Sequence, residues 1–125
     1  MTFWSKAGTT ANAAQLLLDA GHSDGAVNRA YYAMYFAARS TLEKIDPKSA
    51  AAIRHATLIG QFARQIVRGQ GLAPEYGRML NLAFDLRLIA DYEPEGVQAS
   101  DAKEIVADMG RFLAALAELN DGAAS

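Results

Sequence analysis

Two arginine-centred groups have the residue types and spacing to handle a charged ligand. The first is Asn28-Arg29-Ala30-Tyr31-Tyr32-Ala33-Met34-Tyr35-Phe36-Ala37-Ala38-Arg39, a run that is otherwise apolar and helix-forming. At about 100° per residue, Arg29, Tyr32, Phe36 and Arg39 fall within an arc of roughly 80°, so two guanidinium groups and two rings share one helix face. Such a face suits an anion, a base or another subunit. It equally suits a structural role, with tyrosines bonded across helices and the arginines bridging to carboxylates such as Asp19 or Glu43. Tyr31 and Tyr35 lie on a different face, as core or dimer contacts.

The second group is Leu86-Arg87-Leu88-Ile89-Ala90-Asp91-Tyr92. Arg87 and Asp91 stand one helical turn apart, and an exposed pair at that spacing contributes only about 0.3–0.5 kcal/mol. Asp91 either steadies Arg87 or competes with an anion for it. His55, one of two histidines, titrates near neutrality and is a candidate for proton exchange. Its plainer reading is a packed or surface imidazole among Ile53, Ala56, Leu58 and Ile59. His22, in a turn, has no assigned role. With no cysteine and the histidines on separate helices, no metal site and no cofactor are expected. Gly69-Gln70-Gly71 lacks the Gly-x-x-x-x-Gly-Lys pattern, so it is a turn and not a phosphate loop.

The elements that must position these residues are all helical. With 125 residues, 51% hydrophobic and 21% charged, the chain suits one domain spanning 1–125, and disorder is excluded. Five helices are predicted. The first runs from about Phe3 to Ala20 with Gly21 as its cap, and the second, capped by Ser23 or Asp24, runs to about Lys44. The third begins at Asp46-Pro47 and ends near Arg68, the fourth runs from Pro74 to about Tyr92, and the fifth follows a Ser100-Asp101 cap. Asp121 to Ser125 is expected to fray. Short connections favour antiparallel neighbours, giving an all-α, up-and-down four-helix bundle with an additional C-terminal helix.

A net charge of -2 supplies no global field toward nucleic acid, so any such site must be local. No apolar run approaches the roughly 20 residues of a membrane span, and Met1 to Gly8 lacks the pattern of a signal peptide. A cytoplasmic protein without membrane contact is expected.

Three segments jointly resemble the HEPN domain, specifically its short stand-alone prokaryotic branch. They are the run from Asn28 to Arg39, the segment Arg54-His55 with Leu58-Ile59-Gly60-Gln61-Phe62, and Leu86-Arg87-Leu88-Ile89-Ala90-Asp91-Tyr92. The resemblance implies a homodimeric bundle whose cleft binds nucleotide or cleaves RNA, in a toxin–antitoxin pair with a minimal nucleotidyltransferase antitoxin. In the RNA-cleaving members an arginine is followed, after roughly four to six residues, by a histidine. Here Arg87 matches that arginine, and Tyr92 stands where the histidine would. A tyrosine, with a reference pKa of about 10, is a poor base at neutral pH. Binding survives that replacement more readily than catalysis does.

The expected site therefore comprises Arg87, Tyr92 and His55 as candidate catalytic groups, with Arg29, Tyr32, Arg39 and Asp91 binding the ligand. The alternatives are a metal-independent endoribonuclease, in which His55 or an activated Tyr92 replaces the base, and a purely structural interaction module.

Overall fold

In the computed structural model of the protein, residues 2–50 and 54–124 are described, the side chains of residues 49, 55, 56 and 121–124 excepted. All regular structure among them is helical. The first helix, α1 (Phe3–Asp19), opens with a capping box: the Thr2 hydroxyl accepts from the Ser5 amide at 3.0 Å, and the Ser5 hydroxyl accepts from the Thr2 amide at 3.3 Å. It ends at Gly21, whose φ of 83° lets the His22 amide reach the Leu17 carbonyl at 2.9 Å. The Gly21 amide meets the Leu18 carbonyl at 3.0 Å, completing the paired bonds of a glycine-terminated helix.

The second helix, α2 (Ser23–Ile45), is the centre of the molecule. Ala26, Val27, Ala30, Tyr31, Ala33, Met34, Ala37 and Ala38 are all fully buried, because α2 is packed on several sides. Small alanines let its neighbours approach closely. Neither Ser23 nor Asp24 caps this helix. His22 occupies the cap position without a side-chain bond, while the Asp24 carboxylate accepts from the Val97 amide at 2.8 Å. Asp24 thereby ties the α1–α2 turn to a loop that is 73 residues away in sequence.

The expected third helix is divided into α3 (Pro47–Ala50), α4 (His55–Phe62) and a π-helical turn, Ala63–Arg68. Arg54 is extended, with φ -110° and ψ 163°, and the Thr57 hydroxyl accepts from its amide at 3.1 Å, so α4 starts afresh. The fourth predicted helix is α5 (Pro74–Tyr92), with the proline at its first position as anticipated. The last is α6 (Ala99–Ala124), starting one residue before Ser100 and helical into the tail that was expected to fray.

α1 and α5 both run antiparallel to α2, as the Phe3–Phe36 stack and the Asn28–Asp91 hydrogen bond show. α6 packs along α2, where Asn120 accepts from the Ser40 hydroxyl at 2.8 Å and donates to the Thr41 hydroxyl at 2.9 Å. That buried pair of bonds fixes the α6 register, since a slip would leave three polar groups unsatisfied. The core closes with the Phe62 and Phe112 rings 5.3 Å apart.

Candidate functional site

Antiparallel packing of α5 on α2 brings residues 87 and 91 against residues 28 to 32. Arg87 is the centre of this meeting. Its Nη1 donates to the Tyr32 hydroxyl and to the Asp91 carboxylate, each at 3.3 Å. Its Cζ lies 5.2 Å from the Tyr31 ring centroid and 5.7 Å from those of Tyr32 and Phe84. Each such contact contributes about 0.5–2 kcal/mol, more than the ion pair at its exposed value, so the rings fix the guanidinium and Asp91 only orients it.

The arrangement leaves donors over. Both bonds use Nη1, Nε is buried without a hydrogen-bond partner among the described residues, and the side chain as a whole is 14% exposed. A buried unsatisfied guanidinium nitrogen costs on the order of 1–3 kcal/mol and needs a physical reason. The stacked rings of Tyr31, Tyr32 and Phe84 offset part of that cost, and the exposed edge of the guanidinium is the part an anion can meet.

Asn28 links the two arginines. Its Nδ2 donates to Asp91 at 3.1 and 3.3 Å, while its Oδ1 accepts from Arg29 Nε at 3.0 Å and from Arg29 Nη2 at 2.8 Å. Arg29 also lies over the Tyr32 ring, with Cζ 5.1 Å from the centroid. Arg29, Asn28, Asp91, Arg87 and Tyr32 are thus one connected polar group with two positive charges and one negative.

Of the expected site residues, the structure joins Arg29, Tyr32, Arg87 and Asp91. Arg29 bonds Asn28 and not Asp19. Arg39 sits elsewhere: it donates from Nη1 to the Tyr35 hydroxyl at 3.1 Å and lies over the Phe3 ring at 4.9 Å. Tyr92 closes α5 at 74% exposure, outside the hydrogen-bonded group. His55 opens α4, and its side chain lies outside the described residues. Tyr31 and Tyr35 are core residues, and burial pushes the Tyr31 phenol well above its usual range against the opposing charge of Arg87.

Asn28 and Phe84 are additions that sequence reasoning missed. Asn28 stood beside Arg29 in the singled-out run, but its partner lies 63 residues away and no local spacing announces it. Phe84 was available as the residue one turn before Arg87.

The family follows from this chain as a whole. The HEPN domain model matches residues 1–119, so the chain belongs to the HEPN domain family. Its relatives include a UPF0332 protein of Gloeobacter violaceus, 32% identical over 81% of this chain and 79% of that protein. A protein of Methanocaldococcus jannaschii named "Putative toxin" is 29% identical over 82% of this chain and 74% of its own length. A second of that name and organism is 29% identical over 70% of this chain and 58% of its own. No described helix is long and apolar enough to cross a membrane.

Proposed function

We propose that this chain is the toxin component of a toxin–antitoxin pair, a homodimeric HEPN module that binds nucleotide or RNA through Arg87 and Arg29. The observation that carries the reading is the Arg87 guanidinium, braced by three rings, with both its hydrogen bonds among the described residues made by Nη1 and its side chain still 14% exposed. A phosphate satisfies that geometry as a forked acceptor, and a base lies against Tyr32 or the guanidinium planes. Two relatives bear toxin names, which supports the physiological half of the reading.

The dimer is supported by the outer face of α5. Leu82, Ile89 and Tyr92 are 43%, 38% and 74% exposed and recur at positions one turn to two turns apart, forming an apolar stripe on the face of α5 turned away from Arg87. A second protomer docked there would bury that stripe and leave the Arg87 group of each copy accessible. A minimal nucleotidyltransferase is the antitoxin partner that the family implies. Because Tyr92 is outside the Arg87 network and a tyrosine is a poor base at neutral pH, the reading rests on binding and not on RNA cleavage.

Growth of a host expressing the chain tests the physiological claim. Growth arrest is expected from the wild type, with relief by Arg87→Ala and by coexpression of the antitoxin. An Arg87→Ala protein that arrests growth as strongly as the wild type contradicts the assignment of the site.

A further inference from the structure

The Arg29–Arg39 arc is the floor of a groove, because α1 and α5 both pack on α2 and, among the described residues, not on one another. Ten helical positions separate the two arginines, about 15 Å at 1.5 Å per residue, which is too far for one phosphate to bridge. The near end carries Arg87 over Tyr32. The far end carries a second cationic group that the first site does not use.

There the Phe3 and Phe36 rings stack with centroids 5.9 Å apart and planes inclined by 13°. Arg39 lies over Phe3, and the Lys6 ammonium lies 4.7 Å from the Phe36 centroid. Each ring holds a cation in place, so an ammonium and a guanidinium are presented together at one mouth of the groove. Lys6 is exposed and forms no ion pair among the described residues. The two ends are joined by aromatic surface, since the Tyr32 and Phe36 centroids are 6.1 Å apart.

Cations at both ends with rings between them match a ligand that repeats phosphate and base, and a mononucleotide fills only one end. We infer that the groove takes a single-stranded RNA segment longer than one nucleotide, with Lys6 and Arg39 as a second phosphate subsite beyond the Arg87 site. A single strand is required because paired bases cannot lie against the ring-and-guanidinium floor. The inference rests on the proposed RNA-binding reading of Arg87 and extends it along α2.

The test is fluorescence anisotropy of a labelled short single-stranded RNA with wild type, Lys6→Gln, Arg87→Ala and Lys103→Gln between 50 and 200 mM salt. Each phosphate contact to a single strand contributes about 0.7 to the salt slope, so the wild type should lose about 2.6-fold more affinity than Lys6→Gln over that range. Lys103 is an exposed lysine on α6, and its removal should leave the slope at the wild-type value. Circular dichroism confirms that Lys6→Gln, a change at an exposed position, keeps the fold. If Arg87→Ala weakens binding while Lys6→Gln matches the wild type, the second subsite is overturned and the first site stands. If Lys103→Gln flattens the slope as much as Lys6→Gln does, attraction is diffuse and the subsite is overturned. If the wild type binds no RNA, both readings fall together.

Discussion

Arg87 is held by contacts from two helices, and each contact has its own measurable consequence. Removing the guanidinium takes away charge-assisted hydrogen bonds worth about 1.5–3 kcal/mol, so Arg87→Ala should weaken nucleotide affinity by about 10- to 100-fold. Arg87→Lys should recover only part of it, since an ammonium keeps the charge but not the fork. Asn28→Ala should leave Asp91 with Arg87 alone and take away the hydrogen bonds of Arg29, lowering stability by about 1 kcal/mol, read as a lower denaturation midpoint. Tyr31 gives a pH signature. Its folded-state pKa lies above the unfolded value of about 10, so above that pH the unfolded chain releases the proton first and stability falls. Tyr31→Phe should make that fall shallower by up to about 1.4 kcal/mol per pH unit in alkaline denaturation series. At this scale the Arg87–Asp91 pair was legible, because a one-turn spacing is written in the sequence. The Asn28–Asp91 bond was not, because it depends on how α2 and α5 pack.

Helix ends decide how the site is presented. Asp24 and Gly96 form a latch between the α1–α2 turn and the α5–α6 loop: Gly96 takes a φ of 69°, and a Cβ there would collide with the Asp24 carboxylate. Gly96→Ala combines that collision with an unfavourable left-handed backbone and should cost on the order of 1–3 kcal/mol, seen as a lower melting temperature. Asp24 looked like a helix cap from sequence, since an aspartate three residues past a helix-ending glycine has that chemistry. Its acceptor is spent on Val97 instead, a long-range choice that local rules do not contain. The bounds of α1 and α5 were readable from Gly21 and Pro74, which act through their own backbone. The break ahead of α4 was not, because Arg54 carries neither a proline nor a glycine signal.

Taken whole, the molecule has net charge -2, so the RNA binding proposed for it requires a local concentration of cations on one face of α2 and its neighbours. The all-α class was legible because periodic apolar residues and end signals agree along most of the chain. The apolar stripe on α5 predicts that the protein is a dimer in solution. Light scattering should give twice the chain mass, and Ile89→Glu, which places a charge in that stripe, should give the monomer. The central claim is that Arg87 receives a phosphate, and isothermal titration calorimetry of wild type and Arg87→Ala with a short single-stranded RNA tests it most directly. Saturable heat with the wild type, reduced by at least about tenfold in affinity in the variant, is the predicted result. Absence of heat with the wild type, or equal affinity in the two proteins, would contradict it.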